Sequence, residues 1–174
     1  MNHERECLQW LNSLPNDQAL NELKSCCGSN RWAAGVASSR PFATFAQLLD
    51  TALQVWWQLE PADWLEAFRS HPKIGQKKAE TSASAQSQQW SRNEQSGMQE
   101  APGETAAALE LLNEAYETRF GYIFIVCATG KSSEEMLAIL RERIENEPDH
   151  ELRIAAAEQA KITEIRLKKL IDGP

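Results

Sequence analysis

Three groups of residues in this chain have types and spacings that could do chemistry. The first is His71-Pro72-Lys73-Ile74-Gly75. Imidazole is the side chain that titrates near neutrality. The proline after it keeps residue 71 out of the α region, so the ring belongs just beyond a helix end. There the helix C-terminus stabilises imidazolium. The chain has three histidines. His3 falls in the terminal tail and His150 in the first turn of an acidic helix. On position alone, His71 is either a general acid–base or a loop histidine capping the helix before it. The second group is Ser91, Glu94 and Gln95, whose i, i+3, i+4 spacing puts them on one helical face. Met98 continues that face. An apolar residue would stand at Glu94 if the face were plain core, although spacing alone favours a solvated polar helix. The third is Arg166. Leu152, Ala155, Gln159, Ile162 and Arg166 follow the rhythm of an inward stripe. An arginine ending such a stripe either snorkels to the edge or is a buried cation whose fork suits a carboxylate.

Other chemistries fail on their own terms. Cys127 lies among Ile125, Val126 and Ala128, where apolar surroundings raise a thiol pKa and make it inert. The other cysteines, Cys7, Cys26 and Cys27, form no C-x-x-C pair and offer poor zinc spacing. Free thiols in a reducing, cytoplasmic setting are expected, with no metal. Gly130-Lys131-Ser132 is not a P-loop, because the earlier glycine of that motif would fall on Ile125. Lys131 and Ser132 belong instead to a helix cap.

The elements that must position these groups are almost all helical. Leu8, Leu11 and Leu14 mark a short first helix. Asn16 is expected to cap a second that stops at Gly28, and Asn30 a third that ends before Pro41. Thr44 and Gln47 form a capping-box pattern before Leu48, Leu49, Leu53, Trp56 and Trp57. Pro61 suits a first helical position, and Pro72 ends that helix near Ser70. The Ser, Ala and Gln-rich stretch 76–89 reads as linker or helix, with a helix expected from about Ser84 to Gln95. Pro102 and Gly103 precede another, with Leu109, Leu112 and Tyr116 on one face. Ser132 or Ser133 caps the next, and Pro148 opens the longest, ending at Gly173. One run breaks the pattern. FGYIFIVCA at 120–128 is β-prone and apolar but has no strand partner. It is expected as a buried extended segment whose amides need acceptors, such as a bound anion or carbonyl.

The 174 residues suit one all-α, compact, multi-helix domain spanning 1–174. Hydrophobic residues at 42% and charged residues at 25% are the balance of a soluble globule. A formal net charge of −7 argues against nucleic-acid binding. No apolar run is long enough to span a membrane, and neither a secretory signal nor a peroxisomal tail is visible.

Taken together, HPKIG at 71–75, SRNEQ at 91–95, FIVCATGKS at 124–132 and A-x-x-E-Q-x-K-I-x-E-I-R at 155–166 resemble the OHCU decarboxylases, across essentially the whole chain. The resemblance implies an all-α enzyme, usually a homodimer, that works without metal or organic cofactor. It decarboxylates 2-oxo-4-hydroxy-4-carboxy-5-ureidoimidazoline to (S)-allantoin in urate breakdown. It places the catalytic histidine at His71, the glutamate at Glu94 and the substrate-binding arginine at Arg166. Substrate contacts map onto Pro72, Ser91, Gln95 and the backbone of Phe124, Ile125, Val126, Cys127 and Ala128. His71 would be ordered by a hydrogen bond to Glu94. The lack of a fused transthyretin-like domain suits a stand-alone bacterial enzyme. The residues also admit a helical interaction module, with Trp10, Trp32, Trp56, Trp57, Trp64 and Trp90 lining a peptide groove. A third reading is a ureide hydrolase using His71 and Glu94 on water.

Overall fold

A computed structural model of the chain describes residues 2–76 and 83–172. Among them are nine α-helices, one short 3-10 turn and no strand. The order is α1 (Asn2–Ser13), α2 (Asn16–Cys26), α3 (Asn30–Ser38), α4 (Phe45–Trp57), α5 (Pro61–Arg69), α6 (Ala85–Glu94), the turn Ser96–Met98, α7 (Gly103–Phe120), α8 (Ser133–Arg143) and α9 (Pro148–Asp172). The expected all-α class and buried extended segment are both present. Part of the 76–89 stretch, and the expected helix end at Gly173, lie outside the described residues.

The chain divides into two compact units, residues 1–67 with 160–174, and residues 68–159. The first is built on Leu11, Leu23, Trp32, Leu48 and Leu167, all fully buried. Indoles in such a core must satisfy their N–H groups. Trp32 Nε1 donates to the Ala52 carbonyl at 3.0 Å and Trp64 Nε1 to the Trp56 carbonyl at 3.0 Å. Arg40 closes the end of α1, its Nη1 donating to the carbonyls of Leu11 and Leu14 at 2.8 and 2.9 Å. These are the orphan acceptors that a helix C-terminus leaves.

Three caps differ from expectation. Pro15, not Asn16, precedes α2, and it makes no side-chain cap. Ser29, not Asn30, caps α3, accepting from the Trp32 amide at 3.3 Å. Asn30 is drawn off by Glu66, whose Oε2 accepts the Asn30 backbone N–H at 2.9 Å. Thr44 accepts from the Gln47 amide as a capping box requires, but Gln47 returns its bond to Ala43, one residue early.

The second unit packs Leu109, Tyr116, Phe124, Val126, Met136 and Leu140 into one cluster. Helix α7 runs to Phe120 and stops at Gly121, which takes φ 81° and returns its N–H to the Glu117 carbonyl. Only glycine enters that left-handed region without strain. The extended segment therefore begins at 123 rather than 120, and residues 123–128 are all buried. It ends where Ser132 caps α8 in a reciprocal capping box with Glu135.

Candidate active site

The second unit gathers most of the chemistry-bearing residues. Helix α5 stops at Arg69, and the His71 amide closes its end by donating to the Phe68 carbonyl at 3.1 Å. The backbone of His71 thus does what the capping reading expects, while its ring does something else. The ring is buried, and its Nε2 lies 2.7 Å from Oε1 of Gln159 on α9, a side chain with no exposed surface. Gly75, at φ 87°, turns the loop back. Its N–H donates to Oε1 of Gln95 at 3.0 Å. Gln95, expected to touch substrate, therefore also holds the histidine loop in place.

Helix α6 is an inversion of normal amphipathicity. Its buried residues are Ser87, Ser91 and Glu94, all polar. A merely solvated polar helix would expose them. Ser84 caps the helix by accepting from the Ser87 amide at 3.1 Å, and Gln95 ends it. Met98 consequently falls in the 3-10 turn and not on the α6 face. In that turn a Cβ on Gly97 would sit 2.1 Å from the Lys131 carbonyl oxygen. Only glycine lets the end of α6 come that close to the end of the extended segment.

The segment 124–128 is held at both its backbone polarities. Nη1 of Arg143 donates to the Ile125 carbonyl at 2.7 Å, and the guanidinium lies 4.7 Å from the centre of the Phe124 ring. Arg143 in turn gives Nε and Nη2 to Oε1 of Glu151, at 2.8 and 2.6 Å. Tyr116 donates its hydroxyl to the same oxygen, and Asn146 Nδ2 donates to the other at 2.8 Å. Burial, reinforced by that carboxylate acceptor, drives the Tyr116 phenol far above its ordinary pKa. On the amide side, Cys127 N–H donates to Oε2 of Glu158 at 2.7 Å, and Lys131 Nζ reaches the Cys127 carbonyl at 2.7 Å. The acceptor expected for this amide was a ligand. The chain supplies a carboxylate of its own. Burial raises the Cys127 thiol, and the charges of Glu158 and Glu94 push the same way against Lys131. The thiol is thus kept neutral, as its apolar neighbours imply.

Arg166 belongs to the other unit. It does not snorkel: only 1% of it is exposed, and it is among the largest fully buried side chains. Its Nη1 donates to the Ser25 carbonyl at 3.4 Å. Burial pushes the neighbouring Cys27 thiol up to about 11, against the opposing pull of the Ser29 amide, Thr163 and the Arg166 charge. The tryptophan groove does not form as imagined, since Trp32, Trp56 and Trp64 are core residues. Trp10 and Trp57 remain exposed. A cleft lined by Lys73, Gly75, Met98, Ala106 and Asn113 flanks the histidine loop, but His71, Ser91 and Glu94 do not line it. Among the described residues no group of three or more His, Cys, Asp or Glu is placed to hold a metal ion, and no helix is long and apolar enough to cross a membrane.

Sequence reasoning overlooked Glu158, Arg143 and Glu151. Glu158 and Gln159 were visible as the E-Q of the last motif. Arg143 and Glu151 left only a faint signal, a basic residue ending one helix and an acidic one opening the next.

Comparison with known proteins gives this geometry a family. The model of the OHCU decarboxylase family matches residues 12–168. The chain is 42% identical over 159 residues to the uric acid degradation bifunctional protein TTL of Arabidopsis thaliana, covering 86% of this chain but 46% of that protein. It thus spans less than half the length of that relative. It is 34% identical to the 2-oxo-4-hydroxy-4-carboxy-5-ureidoimidazoline decarboxylase of Amia calva, covering 82% of this chain and 81% of that one. A crystal structure of OHCU decarboxylase in the presence of (S)-allantoin shares 39% identity and superposes with a TM-score of 0.77, covering 88% of this chain and 99% of that one. The protein belongs to the OHCU decarboxylase family.

Proposed function

We propose that the chain acts as a single catalytic domain that decarboxylates 2-oxo-4-hydroxy-4-carboxy-5-ureidoimidazoline to (S)-allantoin in urate breakdown, as a cytoplasmic homodimer that needs no cofactor. The observation that carries this reading is α6, whose buried face is made of serine and glutamate rather than leucine. Burying such groups is costly unless they are satisfied, and a face of this kind suits a small, polar substrate. The relatives' names support 2-oxo-4-hydroxy-4-carboxy-5-ureidoimidazoline as that substrate.

The substrate carries a carboxylate and a hydroxyl on one ring carbon, beside the ureido-bearing carbon of the ring's C=N bond. When the bond to the carboxylate breaks, CO₂ leaves and the electron pair forms a double bond to the ureido-bearing carbon, pushing the C=N pair onto the ring nitrogen. The substrate is its own electron sink, so the protein has only to bind, orient and move one proton. His71 takes up the hydroxyl proton, so that this carbon becomes a carbonyl, and returns a proton to the neighbouring ureido-bearing carbon, while a solvent proton goes to the ring nitrogen. Glu94 supports the ring's charged form. Arg166 holds an anionic group of the substrate, and backbone amides of 124–128 stabilise the developing oxyanion. Pro72, Ser91 and Gln95 complete the contacts. Glu158 shifts from the Cys127 amide if that amide is among those used.

The test is incubation with freshly prepared substrate, following CO₂ and the circular dichroism of the product. Solution protonation of a planar enolate gives racemate, whereas a barrier difference of about 2.7 kcal/mol favours one face roughly a hundredfold. The early product should carry the sign of (S)-allantoin. Optically silent allantoin from the first seconds would defeat the stereospecific reading, and turnover without CO₂ would favour a ureide hydrolase. Activity should also survive dialysis against strong chelators.

A further inference from the structure

The peptide between Cys127 and Ala128 carries a charge at one end. Lys131 Nζ donates to the Cys127 carbonyl at 2.7 Å. The peptide is trans and planar, so the Ala128 N–H at its other end points directly away from that ammonium. Ala128 is 4% exposed, so little water reaches its N–H. The neighbouring Cys127 N–H is already given to Glu158 at 2.7 Å. That bond loads the preceding peptide, not this one. We infer that Lys131 is a positioning residue that polarises the Cys127–Ala128 peptide. It makes the Ala128 N–H the strongest donor of the segment to the oxygen that gains negative charge as the substrate hydroxyl loses its proton. The inference rests on the proposed decarboxylation, in which amides of 124–128 serve that oxygen.

A cation on a carbonyl oxygen draws electron density along the peptide and leaves the N–H more positive. Hydrogen bonds linked in this way strengthen one another, and those to an ionised group are roughly twice as strong as neutral ones. Arg143 stands in the same relation to the Val126 N–H, through the Ile125 carbonyl. Its charge, however, is offset by Glu151, which accepts from Nε and Nη2 at 2.8 and 2.6 Å. The ion pairs among the described residues engage Arg31, Lys73 and Arg143, and not Lys131. The ammonium is also well aimed. Gly130 takes φ 77°, and the Lys131 N–H donates to the Ala128 carbonyl at 3.0 Å. The Lys131 carbonyl is packed so closely on Gly97 that a Cβ there would lie 2.1 Å away. The turn thus fixes the stem from which the side chain reaches back four residues.

Two variants and one spectrum test the inference. Lys131→Gln keeps a hydrogen-bond donor and removes the charge, whereas Lys131→Arg keeps both. Cys127-Ala128 is the only Cys-Ala step in the sequence. Protein labelled with ¹³C at cysteine carbonyls and ¹⁵N at alanine therefore gives a single peak in a carbonyl–amide NMR correlation, and that peak is this peptide. In ligand-free Lys131→Gln the carbonyl carbon and the amide proton of the peak should both move upfield, and in Lys131→Arg they should return. With fresh substrate, Lys131→Gln should lower kcat by about tenfold, less than the roughly 10²–10³ that losing a whole oxyanion donor costs. KM and the denaturation midpoint should stay near wild type, and Lys131→Arg should recover most of the rate. Full kcat in Lys131→Gln would overturn the inference. So would a rate that falls only in step with stability, or one that Lys131→Arg fails to restore although the peak returns. Failure of the decarboxylase reading looks different: wild-type protein would then release no CO₂, while the peak would still shift in Lys131→Gln.

Discussion

Two buried polar clusters lie in the same unit and are built on opposite plans. Around Glu151, two arginine nitrogens, a phenol and an amide converge on one carboxylate, and both its oxygens are engaged. At His71, Nε2 of the ring meets a neutral amide. The first cluster gathers opposite charges and saturates them. The second sets a buried imidazole against a buried carboxamide. Segment 123–128 has its Ile125 carbonyl held by Arg143 and its Cys127 amide by Glu158. A saturated network of charges has little left to offer a substrate and much to lose on disruption. A neutral, adjustable one can change protonation without tearing its surroundings. The first therefore reads as the frame and the second as the machinery.

The strongest way to break that division is to damage each cluster and compare rate with stability. His71→Ala should lower decarboxylation by roughly 10²–10⁴-fold, the usual cost of a lost general acid–base, while the helical spectrum persists. A variant retaining more than about a tenth of the rate removes the ring from the chemistry. Arg143→Leu should do the reverse. It leaves Glu151, with no exposed surface, as a buried charge without its cation, and such losses cost about 3–5 kcal/mol. Denaturant unfolding would measure it. If Arg143→Leu is no less stable than His71→Ala, the two clusters do not differ as argued.

How much of this could be read in advance follows the same line. The helices were legible because their signals are local. Pro61, Pro72 and Ser132 each act within a turn of where they stand. The α3 cap was misplaced by one residue because Glu66, distant in sequence, claims Asn30. The residue types of the candidate site stand out in the sequence, whereas long-range contacts do not. The contact of His71 with Gln159 was not foreseen. The inward stripe on α9 pointed at Gln159 without saying what it would touch. Spare amides were expected along 124–128, yet Glu158 takes the one at Cys127. A long-range hydrogen bond leaves no periodicity in the chain that makes it. Only the fold reveals which polar groups it brings together.

Arg166 sharpens the comparison because it is buried like the frame but expected to serve the machinery. Arg166→Lys keeps the charge and loses the planar fork. If Arg166 serves the substrate, the Michaelis constant should rise clearly while the unfolding midpoint moves little. A lower midpoint with an unchanged Michaelis constant would move Arg166 into the frame, as a cation that only holds the Ser25 carbonyl and its surroundings.

The smallest effect concerns the joint between the extended segment and α8. Ser132 accepts from the Glu135 amide at 3.1 Å, and Oε2 of Glu135 accepts the Ser132 N–H at 2.7 Å. Ser132→Ala removes one half of this box and should cost about 1 kcal/mol of stability, as lost N-caps do. Helix α8 carries Arg143, and Arg143 holds Ile125, so a frayed start to α8 could reach the segment at one remove. The expected outcome is that it does not. Met136, Leu137 and Leu140 bury the helix, and that packing outweighs a single cap. The rate should therefore stay near wild type while the denaturation midpoint falls slightly. A Ser132→Ala enzyme that loses activity out of proportion to its stability would mean that the cap sets the position of 124–128 directly. The segment would then be held for function from Ser132, and Arg143 would be only one of its two supports.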